Sequence, residues 1–397
     1  MKHTPRILVA LTLAAAVSPP APGIDLEITG LDGRAVCGHL VQVVPEIVIA
    51  TGDGQVAFAW SEVLAARPQK PGLPQTAAVS DYPLRFELAD GSVFNGRIGR
   101  ETDAGVLLEI GAGQSCRLDP ASVCAITARV ARPAALRELD AIAAGPERGE
   151  DVAVVQRGEN VAVLHGAVRR ITPQAVMFAW KERELPLPWE RLAGLRLARP
   201  RGQTAPCLVR LYGGEAFGGR VIAGDATGVA LQSPLCERLE LPWSQIEVVE
   251  CRSERVAFLS DLAVQRYEFE PFFEKRWDAA RDRTLTGRSI RLAGREYKKG
   301  LTLHSRSVLS YALDGQYHQF AALVGVADEM DGRGDAAVAV MGDGRMLWQA
   351  DSIRGGQAPR AVLVDVTGVR ELSLHVDFGD QLDLSDHVCW ALARVIR

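Results

Sequence analysis

Outside its first residues the chain has no apolar run approaching the roughly 17–25 residues that a helix needs to cross a bilayer, so no internal helical span is expected. None of its seven cysteines stands in a CxxC pair, which argues against a zinc ribbon or a thioredoxin-type site. No GxSxG, HExxH, Walker or dinucleotide-binding glycine pattern occurs. Aromatic residues are only 6% of the 397, and the formal charge is −4. No basic stripe favours nucleic acid, and no acidic tract marks a solvating tail. What is plentiful is glycine, with 38 residues, in a composition that is 47% apolar and ample for packed cores. That balance suits many short strands joined by tight turns, spread over two to four domains.

The chain opens MKHTPRILVALTLAAAVSPPAPG. Lys2 and Arg6 give a positive start, Ile7 to Val17 is apolar, and small residues and prolines follow. This is the anatomy of a secretory signal over residues 1–22. It predicts an exported protein of the periplasm, cell envelope or exterior; an uncleaved anchor is the alternative. Export permits disulfides. Local strand geometry would allow Cys116–Cys124 and Cys207–Cys251, with at least one thiol left over from the odd count. All seven as small buried hydrophobes is the other reading.

From Ile24 to about Arg255 the sequence repeats four times. A turn glycine is followed five residues later by a second: Gly33 and Gly38, Gly91 and Gly96, Gly214 and Gly219; the third copy keeps only Gly166. A short apolar strand follows, centred on Val48, Leu107, Met177 and Ala230. Then comes a tryptophan with an aliphatic residue three positions on: Trp60 with Val63, Trp189 with Leu192, Trp243 with Ile246. The second copy has Pro120 with Val123 instead. Asp-Gly turns and alternating strands such as LRFEL and CLVRL predict meanders that close as small SH3-like or Sm-like barrels, which removes exposed edges. The expected barrels are residues 23–67, 84–130, 151–199 and 205–256. Residues 131–150 form a linker with a helical middle, where Leu136, Leu139 and Ile142 share a stripe. Residues 67–83 are proline-rich and extended. Copies one and two, and copies three and four, are expected to pack as pairs. The tryptophans could line a groove, but their fixed register assigns them to the core.

Beyond Tyr267 the pattern becomes a dense series of nine strands with Asp-Gly turns and no helical period, which predicts a β-sandwich. In ELSLHV, Leu372, Leu374 and Val376 share one face while Ser373 and His375 point the other way. Specific landmarks are Gly300-Leu301 with His304-Ser305, Tyr311, Leu313, Phe320, Val324-Gly325 and Asp328-Glu329. Later ones are Gly342-Asp343-Gly344 and the closing SDHVCWALARV, with Asp386, His387, Trp390, Ala393 and Arg394. In order and spacing these resemble the carbohydrate-binding-module-like domain NPCBM, similar to carbohydrate-binding module family 51. The resemblance implies a galactose-binding-like jelly roll over residues 260–397, of a kind that accompanies glycosidases, and in some cases binds galactosides and a structural calcium ion.

The candidate ligand residues are Trp277, His304, Asp328, Asp386 and His387. His304, Asp328 and Asp386 could form a hydrogen-bonded cluster that either contacts sugar or only satisfies buried polar groups. Trp277 is the expected exposed indole, and Trp390 belongs to the core. The acidic stretch Asp377 to Leu384 could offer oxygen ligands to calcium, but an acidic solvated turn is preferred, and no cofactor is expected. Arg333-Gly334-Asp335 reads as a tight turn. Glu268, Glu270 and Glu274 lie close in sequence, but small barrels rarely build the cleft a glycosidase needs. The expected whole is an all-β, non-catalytic binding protein with a carbohydrate as ligand and an envelope or extracellular protein as further partner. Nucleic acid and, after signal cleavage, a membrane span are not expected. A scaffold without a sugar site is the alternative, and a glycoside hydrolase the weakest one.

Overall fold

The computed structural model of the protein describes residues 23–69, 82–102, 105–110, 114–145, 149–198, 205–272, 276–380 and 382–397. The expected signal, most of the 67–83 connection and Glu274 lie outside the described residues. The chain divides into two units: Met1–Ile28 with Val36–Arg252, and Thr29–Ala35 with Ser253–Arg397.

In the first unit the strands come in groups of five. The first group is Asp25–Gly30, Ala35–Gln42, Glu46–Thr51, Gly54–Ala59 and Val63–Pro68. The fourth is Cys207–Leu211, Ala216–Gly224, Gly228–Gln232, Leu239–Pro242 and Ile246–Cys251. The same order recurs from Leu84–Leu88 to Val123–Ala128 and from Asp151–Arg157 to Leu192–Arg196. In each group the first strand pairs with both the second and the fifth, so the ribbon curls back on its own start. A bulge in every second strand supplies the bend, at Leu40/Gln42, Ile98/Glu101, Val168/Arg170 and Val221/Ala223.

The repeated glycines have two separate reasons. Gly33, Gly91 and Gly214 hold φ of 87°, 94° and 80°, a turn conformation that other residues avoid. The second glycine sits where its strand crosses the next one closely. A Cβ would lie 2.5 Å from the Ala50 carbonyl at Gly38, 2.0 Å from that of Ala179 at Gly166, and 2.6 Å from that of Gln232 at Gly219. The tryptophans are explained as well. Each indole N–H donates to a carbonyl in the loop after the second strand: Trp60 to Val43 (2.8 Å), Trp189 to Thr172 (3.0 Å), Trp243 to Asp225 (2.8 Å). The backbone N–H three residues on returns to the tryptophan carbonyl, forming a single turn that delivers a buried Val63, Leu192 or Ile246 into the fifth strand. Pro120 makes the same turn with Val123, helped by Asp119, whose Oδ1 accepts from the Ala121 N–H.

Groups pair through their fifth strands. Val249 and Glu250 face Ala66 and Ala65, which joins the fourth group to the first. Ala125 to Thr127 face Arg196 to Gly194, which joins the second to the third. A single bridge, Ala216 to Val93, links the fourth and second. The expected one-with-two and three-with-four packing is therefore not what forms. Each curled ribbon leaves its fifth strand with an open edge, and open edges pair with one another whatever their order in the chain. The helix Pro133–Ala144 buries Ala135 and Leu139 against Val154 and Ala193, with Ile142 packed beside them, while Leu136, one residue round the helix from Ala135, is exposed.

Cys116 is bonded to Cys236, 120 residues away, not to Cys124. The strands carrying Cys116 and Cys124 are not pairing partners, whereas the Arg117 N–H donates to the Leu235 carbonyl and brings the second and fourth groups together at this point. Cys207 and Cys251 face each other across a strand pair with free thiols.

The second unit is an antiparallel two-sheet sandwich. One sheet runs Arg266–Phe269, Ser307–Ala312, Glu371–Phe378, Asp335–Gly342, Arg345–Arg354. The other runs Ala280–Arg281, Gly300–Leu303, Val388–Ile396, Gln319–Val326, Arg360–Asp365, with Val256–Phe258 also on Val388–Ile396. Leu309, Tyr311, Leu372, Leu374 and Val376 face Phe320, Val324, Trp390 and Val395 in one core. Across the described residues the protein is thus nearly all-β.

Candidate functional site

Strand register assembles part of the expected cluster. Leu303 is paired with Val388 and Ala280 with Thr302, so the residues just beyond these pairs meet at one corner of the sandwich. There the Trp277 indole stacks on His304 at 5.4 Å and 8°, and His387 stands edge-on to both rings, at 5.1 and 5.5 Å. His304 and His387 are buried; Trp277 is half-buried. The His304 Nδ1 lies 2.9 Å from the Ser305 carbonyl. Glu329, which the sequence reading left out of the site, reaches into the corner: its Oε1 is 3.6 Å from His387 Nδ1, and its Oε2 accepts from Thr286 at 2.6 Å.

The other two expected residues serve different neighbours. Asp328 accepts the Ala293 and Gly294 N–H groups, both at 2.8 Å, and so caps the hairpin turn after Ile290–Leu292. Asp386 is fully buried and accepts the Asp335 N–H at 3.1 Å. Burial, with Asp335 nearby, pushes its carboxyl up to about 6. The expected three-way bond of His304, Asp328 and Asp386 does not form. Asp335 is itself buried and ion-paired with Arg354 at 3.3 Å, so the Arg-Gly-Asp tripeptide is a folded turn. In the acidic stretch, Asp377 lies 3.5 Å from Arg306 and Asp380 lies 3.1 Å from Arg354. Among the described residues no three His, Cys, Asp or Glu side chains converge as a metal site would require.

A second feature was not anticipated. The outer face of the five-stranded sheet is a trough of about 510 Å³. Register sets Glu268, Val308, His375, Ala339 and Gln349 in one row across all five strands. Ala337 and Ala339 keep the floor low, while Glu270, Arg306, Asp351 and Asp377 stand at its sides. Arg306 donates to Glu270 at 2.9 Å and lies 5.4 Å over the Phe378 ring, against which the exposed Phe272 packs edge-on at 5.6 Å. The His375 Nε2 lies 2.9 Å from the Ser373 hydroxyl; burial and then Arg266 hold its pKa below the usual value, so it is neutral near pH 7. The outward phase of His375 was legible in the sequence; the neighbours it meets come from strands up to about a hundred residues away.

With this geometry in view, comparison with known families is decisive for the second unit. Residues 255–396 match the NPCBM/NEW2 domain. The chain also aligns, at 29% identity over 110 residues, with a Renibacterium salmoninarum protein named "Putative endo-alpha-N-acetylgalactosaminidase". That alignment spans 28% of this chain but 7% of the relative. Among solved structures, a CBM51 module from Clostridium perfringens GH95 in complex with methyl-galactose is 24% identical, with 35% of this chain and 99% of that one covered and a TM-score of 0.32. The CBM51-2 and INT domains of C. perfringens ZmpB, in complex with GlcNAc, are 22% identical over 43% of this chain and 36% of that one (TM-score 0.34). Tandem CBM51 modules of Sp3GH98 from Streptococcus pneumoniae are 11% identical over 94% and 88% (TM-score 0.32).

Proposed function

We propose that the NPCBM domain binds a carbohydrate and that the trough on its five-stranded sheet takes a run of sugar residues. The observation that carries this reading is the trough itself: planar polar side chains stand over a floor of alanines, with Phe269 also in its lining. Sugars are held by that combination of planar hydrogen-bonding groups and an apolar face. Four lining carboxylates, Glu268, Glu270, Asp351 and Asp377, outnumber the one lining guanidinium, Arg306. Uncharged glycans are therefore favoured over sialylated or uronate ones. The half-buried Trp277 favours a second reading, in which the Trp277–His304–His387 corner, with Glu329 beside it and Asp386 and Asp328 behind, takes a single terminal sugar.

In this proposal the first unit is a non-catalytic scaffold of four SH3-like repeats, and the whole protein works outside the cytoplasm, where the Cys116–Cys236 bond is stable. A protein-docking role is the alternative that the exposed Phe272, Leu382 and Leu384 favour.

A glycan array on the full chain tests these readings, followed by titration with methyl-galactose and GlcNAc. Loss of binding at least tenfold in Gln349→Ala/Asp351→Ala, with Trp277→Ala unchanged, is the expected result. The opposite pattern assigns the sugar to the corner. An array empty of neutral glycans removes the carbohydrate reading, and reducing-sugar release from any bound glycan would overturn the non-catalytic one.

A further inference from the structure

The two cysteines at the ends of the fourth strand group are used by nothing described so far. Cys207 is the first residue of Cys207–Leu211, and Cys251 is the last of Ile246–Cys251. The two are direct partners in register, and their Sγ atoms are 3.3 Å apart. Both are buried, at 4% and 6% exposure.

The hydrogen-bond pattern tells which kind of partner they are. The Arg252 N–H donates to the Pro206 carbonyl at 2.8 Å. In an antiparallel ladder that makes Pro206 and Arg252 the hydrogen-bonded pair, and the next pair inward, Cys207 with Cys251, a non-hydrogen-bonded one. At such positions the Cα atoms approach to about 4.5 Å and the side chains are closest. A disulfide spans Cα separations of about 4.4–6.8 Å. The two sulfurs already touch, so the bond needs side-chain rotation and little backbone movement.

We propose that Cys207 and Cys251 are a disulfide site, forming a second bond that ties the first and last strands of the fourth group. The reaction is exchange with a low-molecular-weight disulfide or an equivalent disulfide carrier. The Cys207 thiolate attacks one sulfur of that disulfide and releases one small thiolate. The Cys251 thiolate then attacks the Cys207 Sγ and releases the second. Two protein thiols are oxidised, one external disulfide is reduced to two thiols, and two protons end on the leaving thiolates. Cys207 fits the role of first attacker: its hydrogen bond with Cys251 lowers its pKa, while the same bond, then burial, raises that of Cys251. Both residues lie at strand ends, where fraying gives an oxidant access without global unfolding. The closed bond would also brace the strand edge, since Val249 and Glu250 on the same strand pair with Ala66 and Ala65.

The test is a count of thiols on the full chain. The protein is produced in an oxidising compartment, incubated with oxidised glutathione, denatured without reductant and alkylated with iodoacetamide. With both bonds present, three labels are expected, on Cys37, Cys124 and Cys389, together with a cross-linked peptide pair holding Cys207 and Cys251. Cys207→Ser and Cys251→Ser should each give four labels. Prior reduction should lower the melting temperature of the wild type more than that of the Cys207→Ser/Cys251→Ser double variant. Five labels on the wild type, with Cys207 and Cys251 both alkylated after glutathione treatment, would overturn the proposal.

Discussion

Asp386 carries the clearest residue-scale consequence. Its carboxyl is buried and raised to about 6, above the ordinary carboxylate value near 4 that it takes when unfolded. Between about pH 4 and 6 the folded state therefore binds more protons than the unfolded one, and this group's contribution to stability falls as pH rises through that window. Asp386→Asn keeps an acceptor for the Asp335 N–H and removes the charge. Relative to wild type, the variant should melt higher at pH 7.5 and lose that advantage at pH 4.5. A difference in melting temperature that does not change with pH would contradict this assignment. His304 and His387 belong to the same scale. Their places in the GLTLHS and SDHVCW landmarks were legible, but that His304 stacks on Trp277 and His387 stands edge-on to it follows only from strands that bring residues 277, 304 and 387 to one corner.

Elements show how much a recurring spacing encodes. The second glycine, the bulge and the tryptophan turn recur because one strand must bend sharply and cross its neighbour closely. Gly219→Ala would drive a Cβ to 2.6 Å from the Gln232 carbonyl, and relief requires backbone movement. A loss of about 1–3 kcal/mol in urea unfolding is expected, the usual range for overpacking. Trp243→Phe removes the bond from the buried indole to the Asp225 carbonyl and should cost about 1 kcal/mol in the same assay. The corresponding Trp60→Phe should cost less, because Trp60 is only half-buried. The helix repeats the lesson in reverse. Of the expected stripe, Leu139 and Ile142 pack against the sheet, but the third contact is Ala135, too small to weigh in a hydrophobic pattern, and Leu136 is exposed.

Over the whole molecule, the decisive contacts join segments far apart in sequence. Cys116–Cys236 closes a loop of 120 residues and ties two strand groups together. Cys236→Ser should destabilise the first unit by about 2–5 kcal/mol, measured by denaturant unfolding with and without reductant. Under reductant the wild type and the variant should unfold at the same midpoint. Equal midpoints for wild type and variant under oxidising conditions would show that the fifth-strand pairings alone hold the groups together.

Turn positions, strand phases and the landmarks of the NPCBM domain were all present in the sequence, because each depends on residues within a few positions of one another. The partners of the fifth strands, the true disulfide, the divergence of Asp328 from His304 and the trough were not. Those depend on which free edges meet, and a chain's order does not specify that: any of several open strands satisfies the same local pattern, and only the folded packing selects among them.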